Sequence, residues 1–180
     1  MAYYYLVASL VPLTLDGDVS FTPEEYYESC KYLLTSQDRK DLGYIINGQP
    51  ESARHPFVRK WLRNENQLKN AIAEARTAKA NIDSHQFLRD KVEINTKNTK
   101  AIAEAFNKQN PLEKELALDK YRWKLLDEMA EDDYFGMPSI FSYVFKLRLI
   151  MRWKSLNDEK GHDVVEKLFE KTSKEICYGM

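Results

Sequence analysis

One spacing in this 180-residue chain matches a metal-binding pattern, and it is formed by Glu159 and His162. A Glu-x-x-His pair on one helical face supplies two ligands in carboxylate-bridged di-iron bundles, which need two such pairs and two further glutamates on facing helices. This sequence contains a single pair, which is interrupted by Gly161 and lies close to a predicted helix start. We therefore predict no metal site, and an enzyme that uses the Glu159/His162 region is the third-ranked alternative.

The remaining acid–base and nucleophilic residues are few. His55 and His85 have polar sequence neighbours, so we expect solvated surface side chains rather than general bases. Cys30 lies on an apolar helix face, which favours an inert buried thiol over a nucleophile. Cys177 is distant in the chain, and two cysteines form neither a disulfide framework nor a ligand cluster. We predict that both are reduced thiols of a cytoplasmic protein.

Motifs for phosphate, nucleotide or acyl chemistry are absent from the sequence. It contains no phosphate-binding glycine loop, dinucleotide fingerprint or G-x-S-x-G motif. The carboxylate pairs Glu24/Glu25 and Asp132/Asp133 are helix-end charges, since adjacent residues on a helix do not face each other. The tyrosine run 3–5 lacks interleaved cations, which favours core or interface packing over ligand or base stacking. We expect neither catalytic residues nor a cofactor.

Composition narrows the classes of protein that remain. Lys and Arg number 27 against 28 Asp and Glu, which gives a net charge of −1. Nucleic-acid-binding domains usually carry a basic excess, so nucleic acid is not expected as a partner. Hydrophobic residues make up 43% of the chain, enough for a core, and six Gly with six Pro favour long helices over a turn-rich β fold. The N-terminal MAYYYLVASL has no cation before its apolar part, so export is not expected.

The stretch Pro138–Leu156 organises the predicted fold. Its apolar residues fall on almost every side of a helix, as in a helix buried in a core or covered by a partner. Four cations, Lys146, Arg148, Arg152 and Lys154, interrupt it, so it is not predicted to span or insert into a membrane. Two interpretations stay open. It is a core helix whose basic side chains extend outward, or it also docks an acidic partner.

The rest of the chain predicts an all-α antiparallel helical bundle in one domain, 1–180. It comprises an N-terminal part (1–55), a helical hairpin (56–110) and C-terminal helices (111–180). The first predicted helix starts at a Thr22/Glu25 capping box and runs to about Leu34. Further helices are predicted to start at Ser36, at Pro56, at His85 (ending at about Asn107), at Pro111 (ending at Glu131) and at Asn157. Residues 2–10 fit a helix or a strand, and 93–100 a break or a mobile helix turn.

Two further patterns bear on packing. The word AIAEA occurs at 71–75 and 101–105, and its small residues would let two helices approach closely. The C-terminal end of the 111–131 helix is crowded with carboxylates, each disfavoured there by about 0.3–1 kcal/mol. We expect Arg148 and Arg152 to compensate them, if the following helix folds back antiparallel across the turn at 135–137. An acidic docking patch is the alternative.

A family resemblance rests on residues 142–153, SYVFKLRLIMRW. This stretch is similar to the C-terminal helix of the connector subunit (the C-subunit) of the V/A-type rotary ATPases, which ends with a Tyr, aliphatic pairs, a Lys and an Arg-aliphatic-Ile run. The wider chain resembles a bacterial family of uncharacterised proteins encoded among V-type ATPase subunits. The matching segments are YYYLVASL at 3–10, residues 61–76, NPLEKELALDKYRWKLLDE at 110–128 and residues 134–153.

The resemblance implies a bundle like that of the connector subunit, in a protein that serves as a non-catalytic subunit or accessory of a V/A-type ATPase. The connector subunit links the rotor ring to the central stalk, so the implied partners are other ATPase subunits, at the inner face of the membrane. We predict partner contacts at Lys146, Arg148 and Arg152, which lie in the matching stretch. The connector subunit contains three similar helical units, whereas this chain has roughly half its length. A minimal stalk subunit, an assembly factor and a free-standing helical interaction or regulatory protein therefore stay open.

Overall fold

The computed structural model describes residues 3–89 and 96–156, and within these residues the chain forms helices and no β-strand. The α-helices are α1 (Tyr4–Ala8), α2 (Pro23–Cys30), α3 (Ser36–Ile46), α4 (Pro56–Ala80), α5 (Thr96–Phe106), α6 (Pro111–Ala130) and α7 (Met137–Ser155). Short 3-10 turns occur at Pro50–Ser52, His85–Phe87 and Glu131–Asp133. The predicted all-α class is therefore confirmed for the described residues.

Capping side chains account for the helix starts in the N-terminal part. The Glu25 amide donates to Thr22 Oγ1 (3.2 Å), and the Thr22 amide donates to the Glu25 carboxylate (2.8 Å), which together form the predicted capping box. Thr35 caps α3 by accepting from the Asp38 amide (3.2 Å). Helix α3 ends as predicted, and Gly48 follows it in the left-handed region (φ 75°), which suits a residue without Cβ.

Two features of the N-terminal part differ from the sequence pattern or were left open by it. The prediction that the helix starting at the Thr22/Glu25 capping box runs to about Leu34 is wrong, because α2 ends at Cys30. The Leu33 amide donates to the Cys30 carbonyl (2.9 Å) in a tight turn that brings Thr35 to its capping position. The open choice for residues 2–10 resolves as helix α1 within the described residues.

The segment after α4 does not contain the helix start predicted at His85. Helix α4 is followed by Asn81 in the left-handed conformation (φ 52°), a C-terminal cap that Asn tolerates better than most residues. A single 3-10 turn comes next, Leu88 is extended, and the next described helix begins at Thr96. The described part of the stretch 93–100 is helical, and its remainder lies outside the described residues.

Helices α6 and α7 form the antiparallel pair that the short turn at 135–137 predicts. Ser142, near the start of α7, donates its hydroxyl to the Leu126 carbonyl near the end of α6 (3.1 Å). Arg152, near the end of α7, contacts Asp119 in the middle of α6 (3.0 Å). The start of α7 therefore packs against the end of α6, and the end of α7 packs against an earlier part of α6, as in an antiparallel pair.

Helix α7 is central, as its almost wholly apolar sequence predicts. It contacts α2, α3, α4 and α6, and burial extends around most of its circumference. Its completely buried side chains are Ile140, Phe141, Val144, Leu147 and Ile150. A smaller cluster joins α4, α5 and α6 through Leu68, Ile72, Ile102, Ala105 and Leu118. Both AIAEA words contribute to this cluster, so the predicted close approach of the two helices is confirmed.

The described residues include no helix with a stretch long and apolar enough to cross a membrane. The helix predicted from Asn157, the Glu159/His162 pair and Cys177 all lie outside the described residues. The division into 1–55, 56–110 and 111–180 stays a prediction.

Candidate functional site

The basic set, defined as Lys146, Arg148 and Arg152, lies along α7, and its first two members contact groups of the same chain. The Lys146 ammonium pairs with the Asp127 carboxylate of α6 and lies 4.9 Å from the centroid of the Trp123 ring. Only 13% of the Lys146 side chain is exposed. The Arg148 guanidinium donates to the carbonyl of Ile45 at the end of α3, where a cation complements the helix dipole.

Arg152 is more accessible than Lys146 but is also held by the same chain. Its side chain is 41% exposed, and its two terminal nitrogens reach Asp119 (3.0 Å) and Glu115 (2.8 Å) on α6. The predicted compensation of the acidic end of α6 by Arg148 and Arg152 is therefore wrong. Lys146 supplies it for Asp127, because the antiparallel register places Arg152 against the first half of α6 and Arg148 against α3.

Asp119 is the centre of a charged network that the sequence interpretation missed. Its carboxylate is completely buried and accepts hydrogen bonds from Arg122 (2.7 Å), from Arg152 (3.0 Å) and from the indole nitrogen of Trp153 (2.9 Å). Arg122 also holds the Glu65 carboxylate through two parallel hydrogen bonds of 3.0 and 2.9 Å. The network thus connects α4, α6 and α7.

The electrostatics of this network favour the charged form of Arg122. Burial disfavours the charge of Arg122, but the hydrogen bonds and charges of Glu65 and Asp119 outweigh it and raise the Arg122 pKa. Charge-assisted, two-pronged contacts of this kind are strong and geometrically specific. A buried charge that loses its partner is correspondingly expensive. The arrangement holds three helices in a fixed register, and its charged groups bind one another.

A cavity of about 620 Å³ lies next to this network, between α4, residues 81–89 and α6. Its cations include Lys69, Arg76 and Arg122. Each is within ion-pair distance of a carboxylate on α4 or α6. The chemistry of the cavity is therefore mixed rather than clearly anion-binding.

His55 is not the solvated surface side chain that its sequence neighbours predict. Its Nδ1 accepts a hydrogen bond from the Phe57 amide (3.2 Å), which makes His55 the N-cap of α4. Its half-buried ring has its centroid 4.9 Å from that of Phe141. Burial lowers the pKa of His55, against the opposing effect of the carboxylates of Asp38, Asp41 and Asp133.

We expect the stability of the protein to decrease as the pH falls below about 6.5, the ordinary His value. The pKa of His55 is lower in the folded state, so the unfolded chain binds the proton first. The stabilisation is complete above the unfolded pKa. It is lost progressively as the pH falls from the unfolded pKa to the folded pKa. Asn keeps a capping oxygen but does not titrate, so His55→Asn should remove this part of the decline. Urea unfolding at several pH values checks this. Identical pH profiles for the two proteins would contradict it.

The other predicted reactive groups have simpler outcomes. Cys30 is completely buried, as predicted, and burial raises the pKa of its thiol to about 11. Tyr3 is buried as predicted, but Tyr4 and Tyr5 are exposed. Among residues 3–89 and 96–156, no three His, Cys, Asp or Glu side chains are grouped so that they could hold a metal ion.

The geometry defines a helical protein in which a buried charged network centred on Asp119 joins three helices. Residues 48–176 match the model of a family described as "Protein of unknown function (DUF2764)", and because this match covers more than half of the chain, the protein belongs to that family. No curated protein and no solved structure matches the chain.

Proposed function

We propose that this protein is a non-catalytic subunit or accessory of a V/A-type rotary ATPase, where it links the central stalk to the membrane rotor ring. The observation that carries the proposal is the similarity of residues 142–153 to the C-terminal helix of the ATPase connector subunit. These residues belong to α7, the central helix. In this role the chain binds other ATPase subunits at the inner face of the membrane and transmits torque between them. ATP hydrolysis and ion passage belong to other subunits.

The packing of α7 is suited to such a role. A connector transmits torque only if its helices do not slide past each other, and close-packed interiors have low compressibility. Helix α7 is held to α6 by the Arg152–Asp119 contact and to α3 by the Arg148–Ile45 contact. Arg122 and Glu65 extend the connection to α4. The polar contacts therefore fix the register of helices that apolar packing alone leaves adjustable.

The decisive experiment is an affinity purification of the tagged protein from its own solubilised membranes. We expect rotor-ring and central-stalk subunits to co-purify in near-equal amounts. Recovery with a partly assembled complex alone would identify an assembly role instead. Recovery of no ATPase subunit would refute the proposal.

The proposed partner contact of Lys146, one member of the basic set, is tested by a charge swap that preserves its ion pair with Asp127. The double variant Lys146→Asp/Asp127→Lys keeps an ion pair between α7 and α6 but removes the ammonium from the Trp123 ring, so we expect it to fold with a stability loss of about 0.5–2 kcal/mol. If Lys146 contacts an ATPase subunit, the swapped protein folds normally but recovers less of that subunit. Unchanged recovery by a normally folded swap variant would remove Lys146 from the proposed interface.

A second candidate function is that of a free-standing helical interaction, regulatory or assembly protein without a stalk role. The observation that favours it is the internal engagement of all three members of the basic set. In this case the partner surface lies elsewhere on the protein, and the affinity purification returns a partner outside the ATPase.

A further inference from the structure

An exposed aromatic cluster lies where α1 meets the turn between α6 and α7. The ring centroid of Phe135 is 4.9 Å from that of Tyr4 and 5.0 Å from that of Tyr134. All three remain largely open to solvent, at 41%, 60% and 65%, and the adjacent Tyr5 is 94% exposed. Isolated exposed apolar residues are ordinary, but a contiguous aromatic group is typical of a binding surface.

The aromatic cluster is anchored to the protein core by the residues of α1 and by Tyr3, which precedes it. The Tyr3 amide donates to the Phe135 carbonyl (2.6 Å), and the buried Tyr3 hydroxyl donates to Asp38 on α3 (2.6 Å). Leu6 and Val7 of α1 are buried in the main core. The aromatic rings therefore project from an anchored support, so that binding would require little ordering of the surface.

A groove continues the surface on one side. It has a volume of about 550 Å³ and lies between α1 with the loop that follows it and the helices α6 and α7. Its apolar wall includes Val7, Leu10, Val11 and Leu13, and Tyr134 and Glu131 line it as well. Val11 is 56% exposed. The groove offers space for an aliphatic side chain next to the aromatic rings.

Two carboxylates give this surface its charge. Glu131 and Asp132 are exposed, and neither has a cation within ion-pair distance in the described part of the chain. They follow the C-terminal end of α6, where each acidic side chain is disfavoured by about 0.3–1 kcal/mol. Asp127 is compensated by Lys146. No ion pair within the described residues therefore accounts for the position of Glu131 and Asp132.

We propose that Tyr4, Tyr5, Glu131, Asp132, Tyr134 and Phe135, here called the aromatic–acidic surface, dock an amphipathic basic segment of a partner protein. Aliphatic side chains of that segment pack on the rings and in the groove, while its Lys or Arg side chains pair with Glu131 and Asp132. Charge complementarity selects this occupant, because carboxylates repel nucleic acid and anionic lipid. The inference does not depend on the ATPase assignment.

The test uses the full chain and a fluorescent peptide of about 18 residues, five helical turns, with a Leu face and a Lys face. We expect saturable binding that weakens with salt, and weaker binding of a matched Leu/Glu peptide. Tyr5→Ser/Tyr134→Ser should weaken binding of the Lys peptide at least tenfold, since aromatic anchors dominate such interfaces. Glu131→Lys/Asp132→Lys should weaken it similarly while leaving thermal stability equal or higher, which separates binding from folding.

A matched control is Tyr32→Ser/Leu33→Ser, which removes two side chains that are 80% and 62% exposed in the turn between α2 and α3 and that are not part of the aromatic–acidic surface. It should leave binding of the Lys peptide unchanged. The proposal is overturned if this control loses as much affinity, if the Leu/Glu peptide binds equally, or if neither peptide binds. It is also overturned if sedimentation shows a dimer that the Tyr5/Tyr134 variant dissociates, because the occupant is then a second copy. A benzophenone at position 5 that crosslinks within its own chain instead of to the peptide would refute it too.

Discussion

Replacing Asp119 with alanine is expected to lower the free energy of unfolding by about 3–5 kcal/mol. The carboxylate is completely buried and accepts from Arg122, Arg152 and Trp153. Its removal leaves Arg122, whose side chain is only 11% exposed, with Glu65 as its remaining partner. It also breaks the contact of Arg152 and Trp153 with the middle of α6. Urea unfolding followed by circular dichroism measures the loss.

Two variants separate charge from volume in this prediction. Asp119→Asn keeps the shape and one acceptor oxygen, so it should destabilise less than alanine while still weakening both guanidinium contacts. Lys124→Ala removes a charge from the exposed side of the same helix, where the side chain is 76% exposed, and should change stability by at most about 0.5 kcal/mol. If Asp119→Ala and Lys124→Ala had equal effects, the network would not be a determinant of stability.

Arg152 should show energetic coupling to Asp119. Neighbours in one charged network show non-additive effects of about 0.5–3 kcal/mol in double-mutant cycles. Combining Asp119→Ala with Arg152→Ala should therefore cost less than the sum of the two single changes.

The sequence carried a signal for Asp119 that a search for reactive groups overlooks. Asp119 precedes the buried Leu126 by seven residues, which places both on the same helical face. A carboxylate on an apolar face predicts either an error in the helix phase or a buried partner. Its network partners Glu65 and Arg152 are 54 and 33 positions away along the chain, so no local pattern could identify them.

Local chemistry explains which parts of the fold were predictable. The Thr22/Glu25 capping box and the helix start predicted at Pro111 are both confirmed, and each cap lies within three residues of the amide from which it accepts. The central position of α7 follows from apolar residues on nearly all of its sides. In contrast, the helix start predicted at His85 is wrong, because a 3-10 turn occupies His85–Phe87, Leu88 is extended, and the next described helix begins at Thr96. A 3-10 turn and the first turn of an α-helix have similar backbone dihedrals, so no local pattern of residues separates them.

The charged residues show where sequence interpretation reaches its limit. A cation of α7 does pair with a carboxylate at the acidic end of α6, but that cation is Lys146 and not Arg148 or Arg152. The choice between Lys146, Arg148 and Arg152 depends on the register of two packed helices, and a shift of one turn moves a contact by about 5.4 Å. Such a register is a property of the packed pair of helices, so no pattern within either helix could have identified Lys146 as the partner of Asp127.

The second large effect is expected at Phe141, which is completely buried in α7. Its ring centroid is 4.9 Å from that of His55 and 6.1 Å from that of Phe57. Phe141→Ala removes the ring from the core and leaves a cavity that the surrounding helices fill only in part. The expected loss is about 3–5 kcal/mol, measured by the same urea unfolding.

The position of Phe141 also makes a specific electrostatic consequence testable. Burial lowers the pKa of His55, and the Phe141 ring covers one side of the imidazole. In Phe141→Ala, water reaches that side, so the His55 pKa should rise toward the ordinary value of about 6.5, as followed by NMR titration. Leu112→Ala, at a side chain that is 55% exposed on α6, should change neither the stability by more than about 0.5 kcal/mol nor the titration. A stable Phe141→Ala protein with an unshifted His55 would mean that α7 does not form the core at this point, because both effects have the same buried ring as their cause.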